Sequence, residues 1–369
     1  MNRRDFTAMS SLALAATSLP SLSESGTNGL SSKKPLGYAA VGLGTISDLF
    51  SRACIGSKTA RITALVTGHP DTKGKEWAQR LGVPAQSIYT YETFDKIREN
   101  EDVDAVYIGL PNSMHREYTL RAAQAGKHVL CEKPMAISSA ECRDMISGCR
   151  NARVKLMIAY RCHYDPTYLK AEQIVQSGEL GQLQAFEGAF GFDAHPNQWR
   201  LTKKFGGGGS LFDVGIYPLN AMRFFSREEP TEFTAILNTR DLTTGRFAEM
   251  EQTVNWTMRF PSGISASLAS TYGASMPGFL RINGDKGSLE IAPAFDYTGV
   301  HLKGLQKLKT IEATSPNSDI FHFRLEAEHF ASCILNNVEP KTPGEEGLKD
   351  LIAIEAIYKA AGSPLSAQL

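Results

Sequence analysis

Between residues 38 and 159, short apolar runs alternate with longer stretches of helical periodicity, and this alternation leaves the chain few folds to adopt. The runs at 38–41, 62–66, 105–110, 128–131 and 156–159 are short and bounded by turn residues, so they read as strands. Helical stretches such as 113–125 and 138–151 lie between them. Strands separated by helices make parallel βαβ units, which predicts an N-terminal doubly wound α/β sheet of the Rossmann type. After Gly178 the pattern changes. Segments at 184–190, 232–237, 251–260, 264–272, 279–283 and 288–291 read as strands following one another without helices, which predicts a C-terminal α+β domain with an open, mainly antiparallel sheet. Within it, 263–270 alternates small polar with apolar residues, suiting a sheet with one covered face and one polar or subunit-facing one. Two helices, 323–336 and 345–361, close the chain. The expected units are therefore an N-terminal segment, 1–34, a nucleotide-binding domain, 35–160, and a substrate and oligomerisation domain, 161–369, that carries the last helices.

The N-terminal segment reads differently from the rest. Arg3-Arg4-Asp5-Phe6 precedes a mild apolar run ending at Leu19, the pattern of a twin-arginine export signal, with cleavage expected in the Ser-Leu-Ser-Glu-Ser region. An exported, periplasmic protein is expected. No later segment offers eighteen uncharged apolar residues, so no membrane anchor is expected. Residues 20–35 lack apolar periodicity and read as a linker or extended arm. Lys+Arg and Asp+Glu both number 39, so no net field steers the chain toward nucleic acid, and a small neutral or polar partner fits better. The six cysteines form no CxxC pair and read as buried small residues or inert thiols.

Directly after the first strand comes Gly42-Leu43-Gly44-Thr45-Ile46-Ser47. Gly42 permits a sharp strand-to-helix turn, and Gly44 lets a pyrophosphate approach the helix N-terminus, where free N–H groups favour anions. Ser47 stands where the fingerprint has its third glycine. The second strand ends at Thr67-Gly68, without the acid that would bind a ribose 2′-hydroxyl, and Lys73 follows closely. NADP is therefore expected rather than NAD, although Asp71 argues the other way. After the fourth strand, Leu110, Pro111, Asn112 and His115 fall at the crevice beside the nicotinamide ribose, with Asn112 as a helix cap in the plainer reading.

The fifth strand runs into Glu132-Lys133-Pro134. A lysine there lies where a nicotinamide ring sits, and a cationic ring would lower its pKa, making it a hydrogen-bond donor or proton-relay member. Gly206-Gly207-Gly208-Gly209 would let a loop pass close to a ligand. The following helix presents Asp213 and Tyr217 four residues apart on one face. Tyr217 beside a lysine and an oxidised nicotinamide is placed to act as general base on a sugar hydroxyl, with Asp213 orienting the substrate or tuning the tyrosine. A buried tyrosine with a capping aspartate is the plainer alternative.

Gly42-Leu43-Gly44, Pro111-Asn112 through His115, the 125–134 segment ending Glu132-Lys133-Pro134, and Asp213-x-Gly-x-Tyr217 together resemble the Gfo/Idh/MocA oxidoreductase family. Tyr160-Arg161-Cys162-His163-Tyr164, Gln198-Trp199-Arg200-Leu201 and 343–347 are similar to its glucose-fructose oxidoreductase branch, as is tyrosine rather than histidine at 217. The resemblance covers nearly the whole chain after Pro35. It implies Lys133, Asp213 and Tyr217 as the catalytic set, tightly bound NADP, a homodimer or homotetramer, and an arm near 24–35 embracing a neighbouring subunit. Arg161, Trp199, Arg200 and Tyr217 would then line the cofactor pocket, and Tyr160, Arg161, His163 and Arg200 the sugar pocket. The implied chemistry is oxidation of an aldose to an aldonolactone, with a second sugar taking the hydride back. An NAD-dependent glycosidase of the same superfamily and a non-catalytic sugar sensor are the alternatives. His322, Glu326 and His329 share a helical face but read as a packed or solvated one, so no metal is expected.

Overall fold

The computed structural model describes residues 34–306 and 309–363. The expected export signal and nearly all of the expected arm lie outside the described residues.

Six strands make the first sheet: β1 (Leu36–Val41), β2 (Ala60–Val66), β3 (Ile88–Tyr89), β4 (Ala105–Ile108), β5 (His128–Glu132) and β6 (Leu156–Ala159). They run parallel in the order β3-β2-β1-β4-β5-β6. That is the doubly wound arrangement, and its strand order reverses between β1 and β4, where ligands bind. Helices α1 (Thr45–Cys54), α2 (Lys75–Leu81), α3 (His115–Gln124) and α4 (Ser139–Ala152) connect the strands. Almost every residue of β1, β2, β4, β5 and β6 is buried, as a sheet covered on both faces requires.

A turn at Arg161–Tyr164, α5 (Pro166–Gln176), α6 (Lys203–Gly206) and α7 (Ile216–Ser226) lie among and around the strands of the second sheet. That sheet comprises β7 (Leu183–Gly191), β8 (Glu232–Asn238), β9 (Thr253–Arg259), β10 (Ser265–Thr271), β11 (Met276–Gly284), β12 (Gly287–Ile291), β13 (His301–Gln306) and β14 (Lys309–Thr314). Its order is β14-β13-β12-β11-β7-β10-β9-β8, antiparallel except for β7 beside β10. Burial alternates along β9 and β10. Val254, Trp256, Met258, Ala266 and Leu268 point to the covered face, and Asn255, Thr257 and Ser267 to the open one. The hairpin of β13 and β14 was not expected from sequence, because its Lys, Gly, Gln and Glu positions dilute the apolar alternation and most of β14 is exposed.

The last two helices correct the expected domain division. The apolar stripe of α8 (Phe321–Leu335) packs on α1, sharing a core with Tyr38, Phe50 and Tyr107, and Tyr38 donates to the Ala327 carbonyl (2.9 Å). Helix α9 (Gly344–Ala360) lies against α4 and β6 as well as α7 and β8. Residues 35–369 form one unit by their contacts, so the C-terminal helices complete the first domain's layers rather than belonging to the second alone. Periodicity shows which face of a helix is buried but not which layer covers it.

Candidate active site

The strand-to-helix turn is built as an anion cradle. Gly42 has φ +81°, and a side chain there would strike the Gly109 carbonyl and Leu110, each 2.7 Å from its Cβ. Gly44 caps α1 without a capping side chain, and a Cβ at that position would meet nothing within 4 Å. The first-turn amides beyond it, starting at the exposed Thr45, are therefore open to a phosphate. Leu43 is buried beneath the turn, while Ile46 and Leu110 line the cleft above it. Ser47 is buried where a third glycine would allow α1 close to the sheet. Position 109 supplies the room instead, since a Cβ there would lie 2.2 Å from the Ser47 hydroxyl. The departure at Ser47 is thus compensated across the strand order's reversal.

At the end of β2, Thr67 is buried and its hydroxyl accepts from the His69 amide (3.2 Å). Gly68 and Lys73 are exposed, and Asp71, the residue that argued against a 2′-phosphate, is paired with Lys75 (2.9 Å). The cradle fits a dinucleotide, and the cation at Lys73 suits a phosphate-bearing ribose. Beyond β4, Asn112 lines the cleft but caps no helix. Its amide crosses to the Gly206 carbonyl (2.9 Å), tying the first domain to the second. His115, expected at the crevice, is fully buried instead, its ring 2.9 Å from both the Leu110 and Pro134 carbonyl oxygens. It clamps the backbone beside Pro111 to the loop after Lys133.

The cleft, about 650 Å³, brings Lys133, Asp213, Tyr217, Arg161, Trp199 and Arg200 together. Lys133 Nζ donates to the Asp213 carbonyl (2.8 Å) and Oδ1 (3.3 Å), and lies 4.4 Å from the centre of the Tyr217 ring. Arg200 grips the other Asp213 oxygen, which also accepts from Tyr272 (2.8 Å). Burial alone would raise the Asp213 pKa, but Arg200, Lys133 and Tyr272 outweigh it and hold the carboxyl well below the usual range. Burial pushes the Lys133 ammonium down, yet the acidic groups facing it, Tyr217, Asp213 and Glu132, win, and the cleft's own residues raise its pKa. Glu132 accepts from Tyr107 (2.6 Å) and is itself raised by burial, against the pull of Tyr107 and Lys133.

Three further expectations are corrected. Tyr160 and His163 do not line the cleft. Tyr160 donates to Asp350 (2.6 Å), and His163 Nε2 pairs with Asn220 Oδ1 (2.7 Å) behind α7, because the Arg161–Tyr164 turn directs them inward. The 206–209 glycines approach protein, not ligand: side chains at 207, 208 and 209 would meet Ile137, Phe212 and Glu251. Tyr272, Tyr297 and Phe192 belong to the cleft's surroundings and were missed, since each is brought in by the second sheet from a distant segment.

His163 carries a pH prediction. Burial drives its pKa from 6.5 down to about 3, only partly opposed by Asn220. The unfolded chain binds this proton below about pH 6.5 and the folded one refuses it until about pH 3, so stability falls with pH across that window. At pH 5 the loss relative to neutral pH is about 2 kcal/mol. Urea unfolding at both pH values should show that difference shrinking by this amount in His163→Gln.

Comparison with known proteins follows this geometry. Residues 36–160 match the model of an oxidoreductase family with an NAD-binding Rossmann fold, and 168–290 that of the GFO/IDH/MocA C-terminal domain. The chain belongs to the Gfo/Idh/MocA oxidoreductase family. It is 30% identical to D-xylose 1-dehydrogenase [NADP(+)] of Haloarcula marismortui, over 76% of this chain and 78% of that one. It is 27% identical to 1,5-anhydro-D-fructose reductase of Ensifer adhaerens, over 90% and 98%. Its structure is similar to that of aldose-aldose oxidoreductase from Caulobacter crescentus complexed with glycerol: TM-score 0.85, 41% identity, 89% and 98% covered. Among the described residues no helix is long and apolar enough to cross a membrane.

Proposed function

We propose that this oxidoreductase uses tightly bound NADP to oxidise an aldose at C1, is exported by the twin-arginine route, and regains its oxidised cofactor by reducing a second sugar. The carrying observation is the tyrosine at the centre of the cleft: Lys133 lies over the Tyr217 ring and is itself fixed by Asp213. When bound, the nicotinamide supplies the hydride acceptor at C1, and loss of that hydride with the hydroxyl proton leaves an aldonolactone. Gly42 to Ile46, Leu110 and Asn112 would hold the nucleotide, and Lys73 its 2′-phosphate. Tyr217 takes the anomeric hydroxyl proton. Lys133 favours the phenolate that accepts this proton and so becomes the neutral phenol, and it donates to the sugar oxygen, while Asp213 keeps the ammonium in place. The sugar-oxidising and NADP-using relatives support this reading. A closed cycle of two sugars also suits a compartment without an NADP supply.

The experiment is an absorbance spectrum of extensively dialysed protein before and after addition of aldoses. Retained nucleotide whose reduced nicotinamide band rises with an aldose, and falls when a second sugar is added, is the expected result. A nucleotide-free protein overturns tight binding, and bound nucleotide that no aldose reduces overturns aldose oxidation.

A further inference from the structure

Arg161 is a buried cation with unusual partners. It is 4% exposed, yet its guanidinium is hydrogen-bonded to the Phe295 and Asp296 carbonyls and the ring of His322 and overlies two tyrosine rings, with no carboxylate bonded to it among the described residues. An unpaired charge in the interior is costly, so the fold must hold it against an alternative. Its guanidinium carbon lies 5.2 Å from the centre of the Tyr217 ring and 4.5 Å from that of Tyr297. Tyr217 is therefore faced by Arg161 as well as by Lys133.

The arginine is held from behind by side chains that take no part in the cleft. His322 Nδ1 is 3.2 Å from Arg161 Nη1. A guanidinium only donates, so Nδ1 accepts and the ring proton sits on Nε2, which lies 2.6 Å from Asp165 Oδ2, close enough for a charge contact although the N–H is not in line for a regular hydrogen bond. Asp165 is fully buried. It caps α5 through the Thr167 amide (2.6 Å) and accepts from Ser315 (2.5 and 2.7 Å). The chain Asp165–His322–Arg161 thus links α5, α8 and the turn after β6 to a single guanidinium position.

We propose that Asp165 and His322 are positioning residues that hold Arg161 as a second cation on Tyr217, so that the strength of this base is set jointly by Lys133 and Arg161. This rests on Tyr217 being the base. The charged and titratable groups around it are Glu132 at the end of β5 and Lys133 just beyond it, Asp213 from the turn before α7, Arg161, and Tyr297 from the loop after β12. Arg161 acts in the direction of Lys133 and opposite to the carboxylates.

The test is the pH dependence of kcat at saturating aldose for Arg161→Gln, His322→Leu and His322→Gln. The limb reporting ionisation of the base should move up by about one pH unit in Arg161→Gln. It should move in the same direction in His322→Leu, and return toward the parent in His322→Gln, whose amide can accept from Arg161 and donate to Asp165. If His322→Leu does not fold, Arg161→Ala with added guanidinium carries the test, the limb moving back as guanidinium binds. Loss of rate at every pH without movement of the limb overturns the proposal. Tyr217→Phe separates the two readings. A limb that survives it removes Tyr217 as the base, whereas a limb that vanishes there but stays fixed in Arg161→Gln removes only the relay.

Discussion

Tyr217→Phe is expected to lower kcat by about 10²–10⁴-fold, the contribution of one positioned acid–base group, while leaving nucleotide retention and the unfolding midpoint close to those of the parent. The phenylalanine keeps the ring that packs against Phe190 and Phe295 and that Lys133 and Arg161 overlie. Only the oxygen that takes the proton is lost. Lys133→Met should reach a loss of similar size by another route, because it also leaves Asp213 with Arg200 and Tyr272 as partners but without its ammonium. The double variant should then be little slower than either single one, as expected of groups that act as a unit. Single-turnover reduction of bound nucleotide by an aldose is the measurement, since it isolates the chemical step. A Tyr217→Phe enzyme within a few-fold of the parent would end the assignment of this residue as base.

What the sequence made legible follows from how local each signal is. Gly42-x-Gly44 and Glu132-Lys133 declare themselves because a strand end, a turn and a helix start are neighbours in the chain, and their geometry follows from backbone rules. The Asp213 and Tyr217 spacing told correctly that both reach one cleft, although the turn carrying Asp213 is wider than an α-helix and its partners turned out to be Lys133, Arg200 and Tyr272 rather than Tyr217. Tyr160 and His163 show the opposite case. They flank Arg161 in the chain, but a tight turn sends Arg161 toward the cleft and its neighbours into the packing behind α7. Proximity along the chain misled there, because the direction of each side chain in such a turn is set by tertiary packing. The raised pKa of Lys133 was equally out of reach: burial and charge act in opposite senses, and only the positions of Tyr217, Asp213 and Glu132 decide between them. Likewise the 206–209 glycines signal close approach without saying to what, and the structure answers with Ile137, Phe212 and Glu251.

The packing behind α7 leads to the largest expected loss of stability. Arg223, 2% exposed, is bound by Asp350 and by Glu229 (2.6 Å) and Glu346 (3.0 Å), so the helix that carries Tyr217 is pinned to α9 by one buried guanidinium. Arg223→Met should cost about 3–5 kcal/mol, because it strands the fully buried Asp350 carboxyl, and the largely buried Glu346 beside it, without the cation they face. The cost should depend on pH in a defined sense. Burial already pushes the Asp350 carboxyl from 3.8 up to about 6, against the opposing pull of Arg223. Between these values the folded chain binds more protons than the unfolded one, so this group's contribution to stability falls as pH rises. Without Arg223 the folded value moves higher still, and the penalty extends into the neutral range. The deficit of Arg223→Met against the parent, measured by urea unfolding, should therefore be largest near pH 8 and shrink toward pH 5, where Asp350 is protonated and keeps its bonds to Tyr160 and Asn220. A deficit of the same size at both pH values would place the loss in packing alone and remove the charge from the argument.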